Sequence, residues 1–160
     1  MNKMTPSQLE DHLETLELIY DEVAASITGQ TEAGVRIDTK ASVLVGYTGA
    51  AVSFLATRHT HVQPVLAGLS YATFALAACF GVWTFGIRWY EYVPAPRRLF
   101  DGYLAQSKAH TLAAIAAARV KVYETNTRKY QQKAWRWQMS LVSLVLGMTL
   151  MILALTSPYW

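Results

Sequence analysis

Three stretches of the chain, residues 41–57, 64–87 and 139–156, contain no Asp, Glu, Lys, Arg or His. A charge at the centre of a bilayer costs roughly 2.5–3.5 kcal/mol on insertion scales, and an unpaired backbone amide costs several more. Long charge-free runs of this kind are therefore best accommodated as membrane-spanning helices. The middle run has 24 residues between Pro64 and Ile87, enough to cross about 30 Å of hydrocarbon at roughly 1.5 Å per residue. The first, Ala41 to Thr57, is shorter, but Lys40 and Arg58 at its ends are long enough to reach out to the interface. Hydrophobic residues make up 52% of the 160 and charged residues only 16%, the latter gathered outside the runs. The expected fold class is all-α: an integral membrane protein with three transmembrane helices and a cytoplasmic amphipathic helical layer.

Charge sets the expected orientation. Residues 1–40 hold three Lys/Arg, residues 88–136 hold ten, and the 58–63 loop holds Arg58 alone. By the positive-inside rule both large polar segments are cytoplasmic, so the N-terminus lies inside and the C-terminus outside a plasma (inner) membrane. Trp89, Tyr90 and Tyr92 after the second run, Trp135 and Trp137 before the third, and Tyr159 and Trp160 after it suit the interfaces. The first 30 residues carry six acidic groups, unlike a secretory signal, so the first run is expected to be a retained anchor. The domain plan is then a cytoplasmic amphipathic helix at 1–37, a two-helix transmembrane hairpin at 38–87, a basic cytoplasmic helical segment at 88–136, and a third transmembrane helix with a short outer tail at 137–160.

Within 1–37, Leu9, Leu13, Leu16, Tyr20, Val23 and Ile27 alternate spacings of four and three, a heptad-like seam. Thr5, Pro6 and Gln8 mark a helix start, and Gly29 offers an end. Seven acids against Lys3 and Arg36 leave this segment at −5. The Val93-Pro94-Ala95-Pro96 turn interrupts the chain, and a proline-free helix is expected from about Leu99 to Trp137, with continuation into the third run left open. Segment 88–136 carries +7. Its basic residues Arg97, Arg98, Lys108, Arg119, Lys121, Arg128, Lys129, Lys133 and Arg136 have three readings: packing against the acidic helix, binding anionic lipid headgroups, or binding a phosphate-bearing ligand. Composition does not separate them. No recognised nucleic-acid motif accompanies the basic helix, so nucleic acid is not an expected partner.

Small residues recur at close spacing in each run: Gly46, Ala50, Ser53 and Thr57; Gly68, Ala72, Ala75 and Cys79; Ser143 and Gly147. Such faces let helices approach closely, within one bundle or between copies of the chain. Since these faces and the heptad seam exceed what one three-helix bundle needs, a homo-oligomer is expected. No ionisable residue lies inside a run, which argues against a transporter site at mid-depth. His12, His59, His61 and His110 are scattered, Cys79 is the single cysteine, and there is no phosphate loop, nucleophile elbow or zinc spacing. The chain is expected to be no enzyme, with no catalytic residue, cofactor or metal.

The sharpest local pattern is Arg36-Ile37-Asp38-Thr39-Lys40-Ala41-Ser42-Val43-Leu44-Val45-Gly46. Asp38 reads as the cap of the first spanning helix, with Lys40 as its positive-inside anchor. A helix beginning earlier, near Thr31, would instead put Arg36 and Lys40 on one face and leave Asp38 to find a partner elsewhere. This segment resembles the Ala-Asp-x-Lys-Ala-x-x-Leu-Leu signature of the transmembrane effectors of Pycsar, the bacterial pyrimidine-cyclase system of antiphage defence. Ile37 stands where that signature has a small residue, and Val45 where it has Leu. The likeness extends in layout over most of the chain. It implies a membrane effector that responds to cyclic UMP or cyclic CMP from a partner nucleotide cyclase and impairs the inner membrane. On that resemblance Asp38 and Lys40 are candidate gating residues; Arg36, Arg97 and Arg98 are candidates for a ligand or lipid phosphate. The alternatives are an accessory membrane protein of plasmid transfer, or a subunit of a larger membrane complex.

Overall fold

In the computed structural model, residues 10–58, 63–86 and 106–157 are described. Among them there are three helices and no strand: α1 Leu13–Thr57, α2 Pro64–Phe85 and α3 Lys108–Thr156. The all-α expectation holds for these residues. Two helices, α2 and α3, are long and apolar enough to cross a membrane.

The length of α1 follows from what it lacks. No proline occurs between Pro6 and Pro64, and the ladder runs 45 residues to Thr57, where Arg58 N turns back to Leu55 O at 3.1 Å. Gly29 does not end it. A glycine inside a helix costs only about 1 kcal/mol relative to Ala, which the packing on both sides of it offsets. The seam also continues. Leu13, Leu16, Tyr20, Val23, Ile27, Gln30, Gly34, Ile37, Ala41, Leu44, Thr48, Ala51 and Leu55 keep the alternation of three and four without a break, and each is buried or half-buried. α2 starts where Gln63 caps it, its Oε1 accepting from Leu66 N at 2.7 Å and Pro64 taking the first helical position. α3 begins after Ser107, whose carbonyl accepts from Thr111 N at 3.0 Å. It then runs 49 residues without proline until Pro158 follows it, so the basic segment and the third apolar run form one helix. Thr5, Pro6, Gln8 and the 93–96 turn lie outside the described residues.

The chain forms two compact units. One gathers Met1–Ala33 with Trp89–Tyr130. Its described parts are the first half of α1 and the first half of α3, which pack seam to seam. Arg119 lies over the Tyr20 ring at 4.1 Å and its Nη2 donates to the Tyr20 hydroxyl at 3.0 Å, while Gln30 Nε2 donates to Thr127 Oγ1 at 2.7 Å. Opposite charge contributes less: Lys108 meets Glu17 at 2.6 Å, but both side chains are well exposed, and such pairs give about 0–1 kcal/mol.

The other unit gathers Gly34–Arg88 with Gln131–Trp160, a three-helix arrangement that is apolar on its outside as well as in its interior. Its interior holds Ala41, Leu44, Thr48, Leu55, Ala67, Ser70, Phe74, Ala77, Thr84, Ser140, Leu144, Met151 and Ala154, small and hydroxyl-bearing residues interleaved with a few large ones. Its outside carries Val43, Phe54, Val65, Leu69, Leu76, Val82, Val142, Val145, Leu146, Ile152 and Leu153, all exposed. Interior hydroxyls bond to main-chain carbonyls across the helices: Ser70 Oγ donates to Gly147 O at 2.9 Å and Ser140 Oγ to Ala77 O at 2.7 Å. Close approach requires two glycines. A Cβ on Gly81 would meet Val45 Cγ2 at 2.7 Å, and one on Gly147 would meet the Phe74 ring at 2.7 Å.

The small-residue faces of the first two runs do not make this interior. Gly46, Ala50, Ser53, Thr57, Gly68, Ala72, Ala75 and Cys79 are exposed, and a Cβ on Gly46 or Gly68 would meet nothing within 4 Å. The heptad register set by Ile37, Leu44 and Phe74 places a different set of small residues inward: Ala41 and Thr48 of α1, Ser70, Ala77 and Gly81 of α2. Of the expected faces, that of the third run turns inward: Gly147 is buried against Phe74 and Ser143 is half-buried.

Candidate functional site

Asp38 does not cap a helix. It lies well inside α1, so the amides an N-cap would serve are already in the ladder. Its carboxylate turns instead to α3, where Lys133 Nζ stands 2.8 Å from both Oδ1 and Oδ2. The ammonium donates a hydrogen bond to Oδ2 and stands at the same distance from Oδ1. Burial within the pair is unequal, with the Lys133 side chain 2% exposed and that of Asp38 38% exposed. A lysine held this far from solvent in a small-residue interior requires a counter-charge, because desolvating an ammonium costs several kcal/mol.

Lys133 also belongs to a periodic set. Asn126, Lys133, Ser140, Gly147 and Ala154 recur every seven residues along α3, all of them buried. Polar groups at one heptad position fix register at some expense of stability. Around the pair, Lys40 Nζ stands 5.4 Å from the centre of the Trp137 ring, and the Trp137 indole N–H is buried without an acceptor among the described residues. The structure thus brings together Asp38 and Lys40 of the sequence pattern with Lys133 and Trp137 of α3. Arg36 is exposed on α1. Arg97 and Arg98 lie outside the described residues, as do His59 and His61.

Nearby in sequence, Arg136 lies over the Trp83 ring at 4.1 Å and its Nη1 donates to Trp83 O at 3.2 Å. That carbonyl belongs to the last turn of α2 and also accepts from Gly86 N at 3.1 Å. A guanidinium at a helix C-terminus is favoured by both the orphan carbonyls and the dipole. Trp135 meets Phe80 edge to face at 6.2 Å. Trp83, Gln131, Gln132, Trp135 and Arg136 line a groove of about 390 Å³. A second groove of about 310 Å³, between Tyr47 and Phe54 of α1 and Leu144 and Met148 of α3, has no charged lining residue.

Among the described residues no three His, Cys, Asp or Glu side chains group to hold a metal ion. What the arrangement supplies is an ion pair between α1 and α3, with its lysine buried and a cation–aromatic contact between Lys40 and Trp137 beside it. Sequence reading counted Lys133 among the basic residues without pairing it to Asp38. The available signal was its heptad spacing from Asn126 and Ser140. No family model, curated protein or solved structure matches the chain.

Proposed function

We propose that the chain is a membrane effector of bacterial antiphage defence, which senses a cyclic pyrimidine nucleotide, cyclic UMP or cyclic CMP, and impairs inner-membrane integrity. It crosses the membrane three times, through 41–57, α2 and the C-terminal part of α3, with its N-terminus cytoplasmic and its C-terminus outside. Membrane residence is supported by the apolar outer surface of the three-helix unit. In the apolar windows of α2 and α3 only 28% and 22% is buried, whereas the core helix of a water-soluble domain buries most of such a surface. Lipid is the solvent that matches it.

The observation that carries the effector reading is the place of Asp38. In the segment that resembles the Pycsar effector signature, this carboxylate holds a buried lysine from the helix that joins the basic cytoplasmic part to the third apolar run. A nucleotide phosphate bound on the cytoplasmic side competes for basic groups of α3, and an arrangement in which an ion pair takes part has an alternative when that competition begins. Moving a two-state population from 1:99 to 99:1 takes about 5.5 kcal/mol of differential affinity. One phosphate contact does not supply it, so several basic groups, or several ligands across a homo-oligomer, contribute. The outward Gly46, Ala50, Gly68 and Ala72 give copies of the chain surfaces for close approach.

The test is dye uptake by cells that co-express the chain with a pyrimidine nucleotide cyclase. Leakage is expected with the wild type and active cyclase, and is expected to be lost in Asp38→Ala and Lys40→Ala variants that still insert. Wild-type cells that stay sealed despite confirmed expression and confirmed nucleotide would overturn the effector reading.

A further inference from the structure

The groove beside Arg136 has chemistry that the ion pair does not use, and we propose that it is a binding site for the headgroup of an anionic phospholipid, an inference that rests on the membrane reading above. The site stands where two apolar surfaces end. α2 finishes at Phe85, and the uncharged run of α3 begins at Met139, so Trp83 and Trp135 lie at the depth where indoles favour the headgroup boundary. Both are more than half exposed, 54% and 52%, although each is a large apolar ring. Phe80 holds the Trp135 ring from the side and Arg136 holds the Trp83 ring from its face, so the walls are fixed rather than free to fold away.

Arg136 commits Nη1 to the Trp83 carbonyl, which leaves Nε and Nη2 as donors for a second acceptor. A planar guanidinium so anchored suits a phosphate better than a mobile ammonium would. Gln131 and Gln132, both exposed on α3, present carboxamides able to bond a headgroup hydroxyl or phosphate oxygen. A choline headgroup fits less well. Its quaternary ammonium would suit the two indoles, but it would sit against the Arg136 charge. Acyl chains leaving the site meet exposed Leu76, Val82 and Val142, a surface continuous in character with lipid.

The experiment uses the full chain in nanodiscs, with no nucleotide present. Quenching of tryptophan fluorescence by brominated phosphatidylglycerol is compared with quenching by brominated phosphatidylcholine. A preference for phosphatidylglycerol is expected. Arg136→Gln and Gln132→Glu are each expected to reduce it about tenfold, the scale of one lost charge-assisted contact. Because Arg136 also braces the end of α2, Gln132→Glu is the variant that keeps the result interpretable: it adds a repelling charge at a position with no bracing contact. Equal quenching by the two lipids, or a preference unchanged in both variants, overturns the proposal. Displacement of the lipid by soluble glycerophosphoglycerol at comparable concentration also overturns it, in favour of a free phosphodiester ligand. Flotation with vesicles separates the two levels: a chain that floats without discriminating lipids overturns this site alone, and one that does not float overturns the membrane reading as well.

Discussion

An ammonium that is 2% exposed and a carboxylate that is 38% exposed do not lose equally when their pair is broken. Removing the carboxylate leaves the buried ammonium without this counter-charge, whereas removing the ammonium leaves a carboxylate on a side chain that is only partly buried. Asp38→Asn is therefore expected to destabilise by about 3 kcal/mol and Lys133→Met by about 1 kcal/mol or less, with the double variant recovering most of the loss. Denaturant titration of the purified chain in detergent, followed by near-ultraviolet circular dichroism, measures this. Equal losses, or no recovery in the double variant, would contradict the account. Asp38 was legible in the sequence as a charge set hard against an apolar run, but its role was not. Capping is a local property and could be argued from neighbouring residues; the partner, Lys133, is 95 positions away and one of ten basic residues in its segment, so nothing local distinguished it.

At the scale of an element, inward and outward glycines make opposite predictions. Gly147→Ala pushes a methyl to 2.7 Å from the Phe74 ring, which is fully buried and cannot swing aside, so a loss of about 1–3 kcal/mol is expected. Gly68→Ala meets nothing within 4 Å and is expected to leave the fold unharmed or strengthen α2 by about 0.5–1 kcal/mol. The same titration reads both, and any loss of assembly in Gly68→Ala at unchanged fold would then report contact between copies. Helix α1 shows why half of this was hidden in the sequence. From Leu13 to Ile27 the seam stands out because polar residues surround it; from Ala41 onward nearly every position is apolar or small, so the same repeat continues without contrast. The spacing of small residues alone therefore selected Gly46 and Gly68, which face out, and passed over Gly81, which faces Val45 and Ser140.

For the molecule as a whole, the thirteen Lys and Arg of residues 1–40 and 88–136 against Arg58 in the 58–63 loop make topology the decisive measurement. In a Cys79→Ala background, single cysteines at Thr60 and at Tyr159 are expected to react with an impermeant maleimide added outside right-side-out vesicles. Protection of both would exclude the three-span arrangement. Apolar runs and charge bias were readable along the chain because each is a property of neighbouring residues. Which distant segments form a compact unit was not, since Gly34–Arg88 joins Gln131–Trp160 through contacts no window of sequence contains. The unbroken repeat of α1 carries one further implication, for how this gene tolerates change in length. Each residue of a helix advances its successors by about 100°, so adding one amino acid near Gln30 would turn every later inward position away while leaving the earlier ones in place. Insertions here behave like frameshifts written in angle rather than in codons: one or two residues throw the phase far off, three or four come closer to a full turn, and an added seven nearly restores it.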